Sequence, residues 1–279
     1  MVALPARPEQ EIINRVYEAI EKKDRKPDVY LGRLGSSFIG EECIRKIWLD
    51  WRGYAREQFS GRMLRLFNTG HIQEARVVDD LRAAGFEVWD KDDNGNQFEF
   101  NDQSGHFITK TDGVIKDIPG SEKTAHLLEI KTHNKNSFSG IVKKGLQESK
   151  PTHYAQMQIS MAFSGLTRGL YVSVCKDDEQ YYVERIKEDK VEQGKLKKKI
   201  ISLVDARMRP AGISDDASSF GCKFCDMKAV CTREVKPLKN CRTCLLCIPG
   251  ASGSWACELT DKSLTLDEQR AACDSYEEM

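Results

Sequence analysis

The run Leu127-Leu128-Glu129-Ile130-Lys131, with Asp112-Gly113 upstream, carries the residue types of phosphodiester hydrolysis. In a β-strand, side chains alternate between faces with period two. Glu129 and Lys131 therefore leave one face, and Leu128 and Ile130 the other. The apolar pair can face a core while the acid and the base reach a cleft. A carboxylate placed there can hold a divalent metal, and the ammonium can orient a water or stabilise the crowded phosphorane. Asp112 lies on what reads as a second strand, His106 to Ile115, in which Phe107-Ile108-Thr109-Lys110-Thr111 is rich in β-formers. Pro119-Gly120 signals a turn between the two. If the strands pair, Asp112 and Glu129 converge on one ion. An acid followed by Glu-x-Lys also arises by chance on a solvated strand face, so this motif alone does not decide.

A second kind of chemistry lies at the far end of the chain. Cys222-x2-Cys225-x5-Cys231 is followed by Cys241-x2-Cys244-x2-Cys247-x9-Cys257, with Cys273 last. Two cysteines two residues apart let two thiolates grip one metal from a tight turn. Seven thiols between Cys222 and Cys257 are too many for one tetrahedral site. Two sites need eight ligands, so one must come from elsewhere, with Cys43 as the natural candidate and Cys273 as the alternative. Structural zinc and an iron–sulfur cubane both take four thiolates, and spacing does not choose between them. The bland alternative is a set of free or disulfide-linked thiols.

Composition sets the frame. The 279 residues suffice for one large domain or two smaller ones, and 40% are hydrophobic, so a real core is available. The 43 basic and 43 acidic residues cancel, so any nucleic-acid surface must be a local patch. No apolar run approaches the ~18 residues of a membrane span. Met1 to Glu11 lacks an apolar signal core, so a cytoplasmic protein with no membrane partner is expected. In a reducing compartment ten cysteines suggest metal ligation.

The elements that must position these residues read as follows. Pro8 to Lys23 has helical apolar spacing and ends before Pro27, a packing helix. Ser36 or Ser37 can cap a helix running on through Ile44, Ile47 and Trp48. Phe67 to Ala84 reads as a helix stopped by Gly85, with Ile72, Ala75, Val78 and Leu81 as its apolar stripe. On it His71 and Glu74 share a face, and a helical carboxylate can complete a metal shell begun by Asp112 and Glu129. Asp90 to Gly95 imitates a calcium loop but has Asn101 where a bidentate Glu is needed, so Asn94-Gly95 reads as a hairpin turn. Thr132 to Gly145 reads as a polar loop that either touches phosphates or is merely solvated. Pro151 starts a helix closed near Gly165, with Met157 and Met161 in the core. Its His153 and Gln156 can address DNA or the scissile phosphate. Arg168 to Cys175 and Tyr181 to Ile186 form a hairpin around Asp177-Asp178-Glu179. Val191 to Met208 is a basic helix with Lys195, Lys197, Lys198 and Lys199 exposed, and Pro210 to Ser219 a candidate linker.

In joint order these residues resemble the PD-(D/E)XK nuclease superfamily in its RecB-like branch, over roughly Leu34 to Cys231. That branch includes the AddB nuclease domain, CRISPR-associated iron–sulfur exonucleases and many phage exonucleases. Its Ser-to-Cys lead and Arg-Lys-aromatic run match Ser36 to Trp48, with Ile44 where members often have Pro. Gly70 and Glu74, Asp112, Glu129 with Lys131, Gln156, and Cys222-Cys225-Cys231 match the remaining motifs in sequence. The resemblance implies an α/β fold: a mixed central sheet flanked by helices, with a Cys-rich C-terminal appendage. It implies an N-terminal helix over 1–29, a nuclease core over 30–209 and a metal-binding region over 210–279. It implies metal-dependent DNA cleavage, exonucleolytic, in recombination, repair or phage DNA processing, with a recombination or replication protein as a partner. Mg2+ or Mn2+ would sit on Asp112, Glu129, Glu74 and the Ile130 carbonyl, Lys131 would position water, and Gln156 would orient Lys131 or the phosphate. Many iron–sulfur members place His where Glu74 stands, which makes His71 the rival third ligand. Cys43 would join Cys222, Cys225 and Cys231 around a four-iron cluster. Cys241, Cys244, Cys247 and Cys257 lie beyond that pattern, and a separate zinc is assigned to them on spacing. The competing classes are a non-catalytic, metal-stabilised DNA-binding or adaptor module and a site-specific endonuclease.

Overall fold

Strand residues 126–133, His-Leu-Leu-Glu-Ile-Lys-Thr-His, are buried over the first five positions although only Leu127, Leu128 and Ile130 are apolar, so Glu129 is carried into the interior between them. The computed structural model describes residues 8–25, 29, 31–56 and 58–279. Helix α1 (Pro8–Asp24) is followed by β1 (Leu34–Gly35), α2 (Ser36–Ile39), α3 (Ile44–Trp51) and α4 (Gly61–Ala83). Then come β2 (Val88–Trp89), β3 (Glu99–Asn101), β4 (Phe107–Lys110), β5 (Gly113–Ile115) and β6 (His126–His133). Helices α5 (Lys135–Ser149) and α6 (Pro151–Ser164) lead to the hairpin β7 (Arg168–Cys175) and β8 (Tyr181–Lys187), then α7 (Lys190–Asp205). The thiol-rich end adds α8 (Phe220–Lys223), α9 (Lys228–Cys231), β9 (Cys247–Pro249), β10 (Trp255–Cys257), β11 (Lys262–Leu264) and α10 (Leu266–Ala271).

The fold is α/β. Its central sheet runs β2-β5-β6-β7-β8. β6 and β7 are parallel, while the other pairs are antiparallel. The crossover from β6 to β7 carries α5 and α6 over one face, where Leu127, Ile141, Met157, Met161 and Tyr171 pack. Val77 and Val78 of α4 cover the other face with Leu128, Ile130 and Val172. A small sheet β1-β4-β3 and an antiparallel sheet β11-β10-β9 flank this core. Among the described residues no helix is long and apolar enough to cross a membrane.

Several sequence expectations hold. Helix α6 starts on Pro151 and stops at Gly165 in the left-handed conformation. The β7–β8 hairpin turns at Glu179, and α1 ends before Pro27, which lies outside the described residues.

Others change, each for a physical reason. The single strand expected over His106 to Ile115 is two, β4 and β5, in different sheets. Side chains replace the ladder at the break: Thr111 Oγ1 donates to the Leu128 carbonyl at 2.8 Å, and Asp112 Oδ2 accepts the Ile130 N–H at 2.7 Å. Asn94-Gly95 does turn, with Gly95 at φ +78° and Asp92 accepting the N–H groups of Asn94 and Asn96. The flanking strands nevertheless pair elsewhere, β2 with β5 and β3 with β4.

The helix expected through Ser36 to Trp48 is broken between α2 and α3. A Cβ on Gly40 would meet Thr152 Cα at 2.7 Å, so the chain there passes directly against α6. No side chain caps α2, whose N-cap is Gly35. Lys199, expected in solvent, instead donates to the freed carbonyls of Ile39, at 2.9 Å, and Glu41. The expected loop Thr132 to Gly145 is the end of β6 and then α5: Asn134 accepts the Ser137 N–H, and Phe138, Ile141 and Leu146 are buried. Helix α4 starts at Gly61, capped by Ser60, and buries Gln73, Val77 and Val78, while Ile72 is 59% exposed.

One charge joins the two ends of the molecule. Arg52, just past α3, has no exposed surface. Its guanidinium donates to the carbonyls of Arg242, at 3.0 Å, Cys247 and Ala206, and lies 4.8 Å and 5.2 Å from the ring centres of Trp48 and Trp255. A planar fork with several donors fits this site and an ammonium does not. Arg52→Ala is expected to lower the unfolding free energy by about 3 kcal/mol or more, because three buried carbonyls lose a charged donor. Arg52→Lys is expected not to restore it. Urea unfolding followed by tryptophan fluorescence measures both.

Candidate active site

Alternation along β6 sends Glu129 towards α6 and leaves Ile130 on the α4 side. Glu129 is 1% exposed, a cost that only paired charge or donors can offset. Its Oε1 accepts from Gln156 Nε2 at 2.7 Å and from the Lys131 ammonium. Its Oε2 is buried and has no hydrogen-bond partner. Burial pushes the Glu129 carboxyl above the usual carboxylate range, and Lys131 pulls against that. Burial opposes the charge on Lys131, but Glu129 and Asp112 outweigh it and raise its pKa.

Asp112 occupies the bend between β4 and β5. Its Oδ2 takes the Ile130 N–H, and Gln97 Nε2 lies 3.4 Å from Oδ1. Its carboxyl is pushed up to about 8, first by burial and then by the Glu129 carboxylate, with Glu74 adding a smaller push. The N–H and C=O of one strand residue point to the same edge. The Ile130 carbonyl therefore faces the edge that Asp112 occupies. Asp112, Glu129 and Lys131, distant from Gln156 in the chain, thus form one charged neighbourhood.

Glu74 stands at its border. It acts electrostatically on Asp112, Glu129 and Lys131 while bonding to His71 at 3.4 Å. His71 itself is largely in solvent, with 76% of its side chain exposed. Among the described residues, no three of His, Cys, Asp and Glu are arranged as a ready metal cage. The donor set still suits a hard divalent cation: all oxygens, one of them buried and unpartnered.

His153, expected to address DNA or the scissile phosphate, and His133, expected on a polar loop, instead form a supporting layer beside this centre. His153 bonds to the Tyr171 hydroxyl at 3.0 Å, and His133 to Ser173 Oγ at 3.0 Å. The imidazole rings are 5.6 Å apart. Burial, then nearby lysines, holds His133 down at about 4; for His153 the value is about 3, set by burial and then Lys131. Both are neutral near pH 7. His153 therefore packs under the site, and Gln156, on the same helix, is the residue that reaches the acid. Thr111 and Gln97 were missed, since only a distant partner strand gives them a role.

The first thiol group has a cavity. Cys43, Cys222, Cys225 and Cys231 line one space of about 470 Å³, together with Arg45, Lys46 and Arg209. Arg45 Nη1 lies 3.8 Å from Cys231 Sγ. In the second group Cys241 and Cys244 flank a 3₁₀ turn, and Cys247 faces Cys257 across β9 and β10. Burial pushes the Cys241 thiol up to about 11, with further pushes from Cys273, Cys244 and Cys257. Burial, then Cys241, pushes Cys247 up to about 12. Burial works against charge on Cys257, yet the hydroxyl and N–H of Thr260 and the N–H of Leu259 hold its thiol below the ordinary range.

No family model matches the chain, and no curated protein matches it. Among solved structures, an alkaline exonuclease (LHK-Exo) from Laribacter hongkongensis is similar at 20% identity, over 62% of this chain and 86% of that one, with a TM-score of 0.46. The same exonuclease in complex with dAMP is similar at 19% identity, over 62% of this chain and 86% of that one, TM-score 0.44. SSO0001 is similar at 15% identity over 81% of this chain and 98% of that one, TM-score 0.46.

The buried pairing gives a test that needs no substrate. Lys131→Met strands Glu129 in the interior and is expected to cost about 3 kcal/mol of stability. The double variant Glu129→Gln/Lys131→Met is expected to cost less than the sum of the singles, with a coupling of about 1–3 kcal/mol. Chemical denaturation of all four proteins checks it; additive losses would show that the pair is not coupled.

Proposed function

We propose that this chain is a divalent-metal-dependent deoxyribonuclease of the PD-(D/E)XK type, degrading DNA from its ends. One observation carries the reading. Asp112 is bound to the Ile130 N–H at 2.7 Å, one residue from a buried Glu129 whose second oxygen lacks any partner, while Lys131 and Gln156 hold the first. An unpaired buried carboxylate oxygen beside a second carboxylate and a strand carbonyl is a set of donors in want of a cation.

Asp112, Glu129 and the Ile130 carbonyl would hold Mg2+ or Mn2+, with Glu74 closing the set and His71 as its hydrogen-bonded neighbour. The ion, when bound, would polarise a phosphoryl oxygen and acidify a water. Lys131 presents an ammonium that Glu129 and Asp112 keep protonated, suited to orienting a water and to stabilising charge on the phosphorane. Gln156 fixes Glu129 from above and thereby the position of Lys131. Exonucleolytic action and a place in recombination, repair or phage DNA processing belong to the same proposal and rest on the resemblance of the motifs.

The thiols support a second element of the reading. A four-iron cluster on Cys43, Cys222, Cys225 and Cys231 would fill the cavity they line and tie α3 to the chain's far end. A zinc would sit at the Cys241–Cys244 turn.

The test uses end-labelled single- and double-stranded DNA with millimolar Mg2+ or Mn2+. Wild type is expected to release short products, and EDTA to abolish them. Glu129→Gln and Lys131→Ala are expected to lower the rate by at least about 100-fold while the protein stays folded by circular dichroism. No degradation by the metal-loaded wild type, or full activity in both variants, overturns the proposal.

A further inference from the structure

Helix α1 lies directly on the start of α4. A Cβ on Gly61 would meet Tyr17 Cα at 2.6 Å, and the Gly61 N–H donates to Glu21 Oε1 at 2.6 Å. Beyond that contact, the last turn of α1 and the next turns of α4 leave an open groove of about 640 Å³. Phe59 and Phe67 stand edge to face in it, with ring centres 4.9 Å apart, and are 38% and 40% exposed. Lys23 and Arg65, both exposed, line the groove against one acid, Asp24.

The groove leads to the acidic centre. Leu64, Phe67, His71 and Glu74 follow one another at helical spacing, so they share one face of α4. Phe67 to Glu74 spans about 10 Å along the helix axis. Between them α4 passes β6, where a Cβ on Gly70 would lie 3.9 Å from Thr132 Oγ1, next in the chain to Lys131. Glu74, bonded to His71, already stands at the border of that centre.

Exposed aromatic rings beside cations fit one class of ligand. Bases stack on aromatic faces, and guanidinium and ammonium groups hold the phosphates that link them. An apolar partner would instead have to bury two cations against a single acid. A duplex buries its base faces in its own stack, whereas a single strand offers every base to a ring.

We propose, resting on the deoxyribonuclease reading, that the α1–α4 groove binds a single DNA strand and leads its end to the acidic centre. Phe67 and Phe59 stack its bases, and Arg65 and Lys23 hold its phosphates.

Binding is measured apart from cleavage. The full chain is titrated in EDTA against a fluorescently labelled oligothymidylate and against a duplex of equal length, and anisotropy is read. The wild type is expected to bind the single strand more tightly than the duplex. Phe67→Ala and Phe67→Leu are expected to weaken single-strand binding at least about fivefold, the lower end of what one stacked base contributes. Phe67→Trp is expected to retain it. Phe67→Leu keeps apolar bulk, so its loss beside retention in Phe67→Trp reports the aromatic plane and not a damaged fold. Arg65→Ala is expected to lower the slope of log affinity against log salt by about 0.7. No single-strand binding by the wild type, full affinity in Phe67→Leu, or equal losses on single strand and duplex overturns the groove and leaves the nuclease reading in place. Failure of the metal-loaded wild type to degrade DNA overturns the nuclease reading, whatever the anisotropy shows.

Discussion

An acid sealed from water fixes much of this architecture. Glu129 sits on β6 with strands on both sides and α6 overhead, where an unpaired charge is costly. One oxygen is held by Lys131 from its own strand and by Gln156 from α6. That demand sets the register of α6 over the sheet and keeps Lys131 turned inward. The neighbouring strand must then end early, because Thr111 and Asp112 take the backbone groups of Leu128 and Ile130. An open strand edge beside a buried carboxylate is the consequence, and it is where two acids meet.

The thiol-rich end is built into the same core. Cys244, Cys247 and Trp255 share an apolar cluster with Trp48 and Trp51 of α3 and with Ala155 and Ile159 of α6. Ala155 and Ile159 flank Gln156 in the chain, so the helix that holds Glu129 rests partly on the C-terminal region. Arg52 strengthens this join with charged hydrogen bonds to carbonyls from both parts. Gly105 and Gly253 add a near backbone contact, where Gly253 N–H donates to Ser104 at 2.7 Å and a Cβ on Gly105 would meet Gly253 N at 2.6 Å. Metals at the thiols would therefore stabilise the support of the acidic centre without touching it.

What the sequence disclosed follows from range. Period-two alternation at 127–131, Pro151 and Gly165 around α6, and the acidic turn between β7 and β8 are local signals, and all three elements form. The split of His106 to Ile115 was hidden, because Thr111 and Asp112 break a good β-run only through bonds to a strand farther along. Helix α5 was hidden because Phe138, Ile141 and Leu146 lie among lysines, serines and glycines. Arg52 and Lys199 read as surface charges until the carbonyls they serve are brought to them. Glu74 was legible as a candidate, and it lies at the border of the acidic centre with His71 beside it.

Anomalous diffraction from crystals soaked in Mn2+ tests the acidic centre most directly. The expected result is one strong peak within about 2.0–2.4 Å of a carboxylate oxygen of Asp112, Glu129 Oε2 and the Ile130 carbonyl. A Mn2+ peak elsewhere, with Glu129 Oε2 still bare, would contradict it.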